Sequence, residues 1–149
     1  GLRGPVLRGW AMILELKLAA ISSTSLTLKP VAAAGQCYKK HFVDLGGLGI
    51  RDLCLDAQDL LILAGPTMDL DGPVKVFRLE GGLHSDAVLN KPSEVLDLPY
   101  GNGDHHAEGM TLYSAITQHP SLLVVYDSPA ATTKLAASNG VLADVFKLR

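Results

Sequence analysis

The chain has 149 residues, of which 48% are hydrophobic and 19% charged, a composition typical of a globular protein of single-domain size. Its net charge is −2 and no basic run exceeds the pair Lys39 and Lys40, which excludes the basic stripe of a nucleic-acid-binding or polybasic membrane-binding protein. The longest apolar stretch, residues 10–21, is interrupted by Glu15 and Lys17 and is too short for a membrane-spanning helix. We therefore expect a soluble protein with no visible signal peptide, and its compartment is left open.

From its first residues onward the chain repeats one template: an apolar strand closed by a proline, a loop, a glycine and a second strand ending in leucine. The closing prolines are Pro5, Pro66 and Pro129, which lie 61 and 63 residues apart. The predicted strands are, in chain order, residues 1–5, 9–16, 38–44, 49–55, 61–66, 72–79, 93–98, 109–114, 123–129 and 140–148. A repeat of this length, built of strands and turns, is typical of the blades of a β-propeller.

The repeat predicts an all-β fold, namely a partial β-propeller of about two and a half four-stranded antiparallel blades. Residues 1–149 form a single domain in this interpretation. Residues 1–46 are a partial blade, residues 47–99 a full blade and residues 100–149 a second partial blade.

Two apolar runs, residues 60–64 and 122–126, contain no polar residue that would mark a solvent-facing side. Such runs indicate strands buried on both faces, as happens when neighbouring blades stack on them. Helix content should be low, under about 15%, with the best candidate at residues 130–138. Because two and a half blades cannot close a ring, apolar blade faces would stay uncovered. Either further blades of a longer chain cover them or identical chains associate, and we expect self-association.

Several motifs resemble those of one bacterial family, the domain-of-unknown-function family 3616. They lie at residues 1–11, 47–52, 60–66, 70–73 and 104–109, the last being Asp-His-His-Ala-Glu-Gly. The resemblance covers most of the chain and implies a β-propeller fold related in style to propeller phytases and esterase-like phosphodiesterases. It implies no known activity, because the family's role is unassigned. Members of the family are longer than this chain, which fits a C-terminal piece that begins partway through a blade.

In a propeller, the loops leading into the innermost strands and those between the second and third strands meet at one face around the central channel. On this repeat, that channel face collects Arg3, Arg8, Arg51, Asp52, Asp69, Asp71, Asp104, His105, His106 and Glu108. The predicted ligand-binding residues among them are Arg3, Arg51, Asp52, His105 and His106. The predicted metal ligands are Asp104 and Glu108.

The densest group of polar side chains lies in residues 101–109. The carboxylates of Asp104 and Glu108 suit Ca²⁺ or Mg²⁺, and imidazoles suit Zn²⁺. Adjacent histidines on a strand point to opposite faces, so His105 and His106 do not readily share one metal. Two interpretations compete with a metal site. One is structural, with Asp104 capping a turn and Glu108 pairing with an arginine where a strand begins, and the other is general acid–base work by these side chains.

Arg51 and Asp52 also carry two interpretations, recognition of an anion or an ion pair between blades. Residues 69–72 are either a short acidic Ca²⁺ turn or a plain Asp-Gly turn that needs no ion. No sequence motif assigns a catalytic residue. The sequence therefore favours a propeller scaffold that binds a ligand or a protein without catalysis. The alternative is a divalent-metal-assisted phosphoesterase or related hydrolase with its site at the channel-face loops.

Overall fold

A computed structural model describes residues 1–22, 24–68, 71–83, 89–114, 120–127, 140 and 142–148. The strands are β1 (Trp10–Ile21), β2 (Leu26–Lys29), β3 (Tyr38–Asp44), β4 (Gly49–Asp56), β5 (Asp59–Gly65), β6 (Val74–Leu79), β7 (Leu89–Asn90), β8 (Ser93–Leu98), β9 (His106–Tyr113), β10 (Ser121–Asp127) and β11 (Asp144–Lys147). A single 3₁₀ turn at Ala33–Gly35 is the only helical element of the described residues. The all-β prediction is confirmed for this part of the chain, whereas the helix candidate at residues 130–138 lies outside it.

The strands form three sheets, which we call the first, middle and third sheets in chain order. The first sheet has the order β2-β1-β3-β7, the middle sheet β4-β5-β6-β8 and the third sheet β11-β10-β9. All neighbouring strands are antiparallel except β3 and β7. No sheet closes on itself within the described ranges. No described segment forms a helix long and apolar enough to cross a membrane.

The middle sheet packs between the other two, because alternate residues of β5 point to opposite faces. Leu61 and Leu63 join a core cluster with residues of the third sheet, and Leu60 and Ile62 join a second cluster with residues of the first sheet. The predicted burial of residues 60–64 on both faces is thus confirmed. Each fully buried leucine or isoleucine contributes roughly 1.5–3 kcal/mol of transfer free energy, so this strand is central to stability.

The same prediction is wrong for β10. Leu122 and Val124 are fully buried against the middle sheet, but Val125 on the opposite face is 44% exposed. The sequence pattern cannot distinguish the two strands, because the difference lies in what packs outside them. None of the sheets described here covers the outer face of β10.

The first sheet also departs from expectation. Residues 1–5 are not a strand; instead Leu2 connects two sheets, since its amide donates to the Met12 carbonyl (3.0 Å) and its carbonyl accepts from the Ile50 amide (3.2 Å). β1 extends to Ile21 and pairs there with β2, an additional strand that the repeat does not predict. Leu2 therefore joins the first and middle sheets through backbone hydrogen bonds without belonging to a regular strand.

Matching bulges interrupt the innermost pairs of the middle and third sheets. Along β4, Ile50 pairs with Ala64 and Asp52 with Leu63, which leaves Arg51 as the extra residue. Along β9, Ala107 pairs with Tyr126 and Gly109 with Val125, which leaves Glu108 as the extra residue. The strand register therefore equates Arg51 with Glu108. Sequence alignment alone equates Gly49 with Gly109, because more residues separate β9 from β10 than separate β4 from β5 and the alignment does not account for this difference.

Candidate functional site

Polar side chains gather at the end of the middle and third sheets where β4, β6, β9 and β11 begin, which we call the start edge. β4 and β9 lie side by side there, because the Met110 amide of β9 donates to Asp52 Oδ2 of β4 at 2.8 Å. The other oxygen of Asp52 accepts from the Leu53 amide at 2.8 Å. Asp52 thus ties two sheets together through backbone amides.

Arg51, Glu108 and Arg3 form one ion-paired cluster at the start edge. The side chain of Arg51 is fully buried. It donates through Nη1 to Glu108 Oε1, and its Nη2 donates to the Pro66 carbonyl at 3.3 Å. Arg3 Nη1 lies 3.3 Å from the same Glu108 oxygen, and the Arg3 side chain is 42% exposed. Burial lowers the pKa of Arg51, and the neighbouring Glu108 carboxylate opposes that effect.

Gly65 provides the space that the Arg51 side chain occupies. A Cβ at this position would collide with Arg51 Nε and would lie 2.9 Å from its Cδ and Cζ. The Arg51 Nε atom is buried and has no hydrogen-bond partner in the described part of the chain. The guanidinium is therefore held by its two terminal nitrogens and by close packing on the β5 backbone.

His106 and Asp71 form a second contact. Asp71 Oδ1 accepts from the Gly103 amide at 2.7 Å and lies 3.1 Å from His106 Nε2. The Gly103 amide, followed by the hydrogen bond with His106, lowers the pKa of Asp71. This carboxylate anchors the loop that precedes β9 to the start of β6.

His105 belongs to a third contact, with residues of the third sheet. Its ring stacks on Tyr126 with centroids 3.9 Å apart, and its Nε2 lies 3.8 Å from Asp144 Oδ2. The Tyr126 hydroxyl donates to the same Asp144 oxygen at 2.7 Å. Burial, then the bond to Asp144, raises the pKa of Tyr126 well above its usual value. His105, the residue before β9, has a positive φ of 59°, a conformation that non-glycine residues rarely adopt.

The start edge brings together many of the predicted site residues, but in three separate contacts. Arg3, Arg51 and Glu108 meet in one, whereas His106 and His105 have different partners and belong to the other two. Sequence reasoning missed Tyr126 and Asp144, because one is the last apolar position of a strand and the other starts an edge strand. No spacing signal connects them to His105.

Other predicted residues lie elsewhere. Asp104 packs against its own loop, because its carboxylate occupies the place that a Cβ on Gly101 would need. Arg8 lines a cavity of about 450 Å³ on the first sheet, together with Trp10 and Phe42. Asp69 is outside the described residues. Among those that are described, no three or more His, Cys, Asp or Glu side chains are grouped to hold a metal ion.

These features define an all-β protein of three packed, mainly antiparallel sheets whose titratable side chains collect where the inner strands begin. The chain belongs to the family described as "Protein of unknown function (DUF3616)", whose family model matches residues 1–144. Comparison with curated proteins and with solved structures gives no significant match.

Proposed function

We propose that this chain is part of a β-propeller scaffold that binds a small anionic ligand at the start edge and performs no catalysis itself. The observation that supports a propeller scaffold is the matching bulge in successive sheets, with Arg51 and Glu108 as equivalent residues. Innermost strands of neighbouring propeller blades lie side by side, as β4 and β9 do. A crystal structure whose three sheets are not related by successive rotations about one axis would contradict this part of the proposal.

The ligand class rests on Arg3. Its guanidinium is the exposed member of the cluster, while Arg51 is buried and neutralises Glu108 from within. An arginine presents several N–H donors in a planar fork that suits carboxylate and phosphate oxygens. Arg3 therefore supplies the donors that face solvent, and His105, with a side chain 15% exposed, lies along the same edge.

The contacts of the acids and bases support the part of the proposal that assigns no catalysis. Glu108 is ion-paired with two guanidinium groups, and Asp71 accepts hydrogen bonds from a backbone amide and from His106. A general base needs a lone pair directed at the substrate proton, whereas Glu108 Oε1 and Asp71 Oδ1 each direct lone pairs at two groups of the protein. These contacts favour a structural use of each acid.

Thermal unfolding with and without inorganic phosphate, at ionic strength matched with chloride, tests the ligand class. A ligand that binds only the folded state raises the melting temperature with its concentration. We expect phosphate to stabilise the wild type and the matched control Arg8→Gln, whose arginine lies on the first sheet, but not Arg3→Gln. Equal responses of the two variants, or no response of the wild type, would overturn the assignment.

A parallel series with Ca²⁺ or Mg²⁺, reversed by EDTA, tests the metal-assisted phosphoesterase instead. An EDTA-reversible rise in melting temperature that disappears in Asp104→Asn would establish a metal site at residues 104–108 and displace the proposal. We expect the wild type and Asp104→Asn to respond alike.

A further inference from the structure

Within the described residues, the two outermost sheets each have one apolar face on which no other sheet packs. The first-sheet outer face consists of Trp10, Met12, Leu14, Leu16 and Phe42, which share one side of β1 and β3 because Met12 pairs directly with Phe42. The third-sheet outer face consists of Leu123, Val125 and Val145, since Leu123 pairs directly with Val145. Among these residues Leu14, Leu16, Val125 and Val145 are exposed. Uncovered apolar faces of this kind mark contact surfaces.

The repeat indicates the kind of surface that fits each face, because the equivalent residues of the middle sheet are buried within this same chain. Leu16 corresponds to Leu79, the leucine that ends the same strand one repeat later. Leu16 is 53% exposed and Leu79 only 8%, since Leu79 packs in the cluster shared with the first sheet. The first-sheet outer face is thus equivalent to the face of the middle sheet that packs against the first sheet, the one that precedes it in the chain.

The third sheet shows the complementary half of the contact. The bulge register makes Val125 equivalent to Leu63, which is fully buried in the cluster shared with the third sheet. The third-sheet outer face is therefore equivalent to the face of the middle sheet that packs against the third sheet, the one that follows it in the chain. The chain already makes this kind of contact twice, between the first and middle sheets and between the middle and third sheets. Its two outer faces are the two complementary surfaces of one further contact of the same kind.

We propose that the occupant of each face is a second copy of this chain, packed head to tail. The third-sheet outer face of one copy covers the first-sheet outer face of the other, and the reverse contact forms at the same time. Two copies of three sheets then close a ring of six, within the range of four to eight blades that propellers use. A heterologous contact that closes after two copies yields a discrete dimer rather than a filament.

Light scattering coupled to size-exclusion chromatography, over a range of concentrations, tests the association. We expect a mass about twice the 15.8 kDa of one chain for the wild type. Leu16→Asp and Val125→Asp each place a charge on one outer face, and each should give monomers. Met68→Asp is the matched control, because Met68 is 96% exposed outside the strands, and it should stay dimeric. A wild type that is monomeric at every concentration would overturn the proposal.

Mixing the two monomeric variants tests the head-to-tail arrangement. Leu16→Asp keeps its third-sheet outer face and Val125→Asp keeps its first-sheet outer face, so the mixture retains one intact contact and should form dimers. If like faces paired instead, one of the two variants would remain dimeric alone, which would contradict the arrangement. Circular dichroism confirms that both variants stay folded, and since the altered side chains are already exposed we expect no loss of strand signal.

Discussion

Arg51 and Glu108 occupy the same bulge position in successive sheets, and their side chains form an ion pair across the sheet boundary. A bulge re-aims the side chain of its extra residue, which otherwise would alternate with its neighbours along the strand. The repeat thus places a cation in one copy and an anion in the next where the two inner strands meet. The pair fixes the position of the third sheet relative to the middle sheet.

Replacement of Glu108 by Gln should destabilise the fold, because it leaves the buried guanidinium of Arg51 without its counter-charge. Breaking a fully buried pair costs about 3–5 kcal/mol, and the partial exposure of Glu108 places the expected loss nearer about 2–3 kcal/mol. Urea unfolding measures it. Arg3→Gln, which removes only an exposed partner, should lose less than about 1 kcal/mol. Equal losses for the two variants would show that the burial of Arg51 does not determine how much the ion pair contributes to the free energy of unfolding.

Replacement of Gly65 by Ala should act through Arg51. The new Cβ would occupy the space of the Arg51 side chain and displace the guanidinium from Glu108. We expect a loss of about 1–3 kcal/mol, as for other overpacked positions. In an Arg51→Ala background the same replacement should cost little, so a double-mutant cycle by urea unfolding should give a large coupling energy. Additive effects would mean that Gly65 is needed for backbone reasons alone.

The all-β class and the four strands of the middle sheet could be predicted from the sequence, because apolar runs bounded by glycine and proline carry that information locally. The burial of β5 on both faces could also be predicted. The exposure of Val125 could not, since the residues of β10 are as apolar as those of β5 and only the neighbouring layer differs. The connecting role of Leu2 was missed because single backbone hydrogen bonds leave no sequence pattern.

At the start edge, the sequence predicted several of the residues that gather, among them Arg51, Glu108 and His106, but not how they divide into separate contacts. Glu108 was predicted both as a metal ligand and as an arginine partner, and the structure shows it paired with Arg3 and Arg51. The metal interpretation of Asp104 and Glu108 stays a prediction. The bulge that brings Glu108 to Arg51 depends on strand register, which the length of a hairpin turn sets and a sequence pattern leaves open.

Asp71 should make the free energy of unfolding depend on pH in the acidic range. Its pKa in the folded state lies below the ordinary value of 3.8. The ionised carboxylate therefore stabilises the fold at pH values above 3.8, and this stabilisation is lost as the pH falls through the lower pKa of the folded state. Asp71→Asn should therefore flatten the decline of the unfolding midpoint at acidic pH. Asp97→Asn, at an exposed position of β8, serves as the control. The Gly103 amide resonance should report protonation of Asp71 directly, and parallel acid profiles for the wild type and Asp71→Asn would contradict the assignment.

Tyr126 should govern the alkaline limit of the fold. Burial and the bond to Asp144 raise the pKa of its phenol above the ordinary value of 10.0, so the unfolded chain releases this proton at a lower pH than the folded one. The stabilisation is fully present below pH 10 and declines as the pH rises further, because ionisation then favours the unfolded state. Tyr126→Phe should reduce that decline and cost about 1 kcal/mol at neutral pH through loss of the hydrogen bond to Asp144. Absorbance titration of the native proteins near pH 10 should give the same tyrosinate signal for the wild type and Tyr126→Phe, whereas in denaturant the variant should show one tyrosinate fewer. A native signal already smaller in the variant would mean that Tyr126 ionises normally in the folded protein.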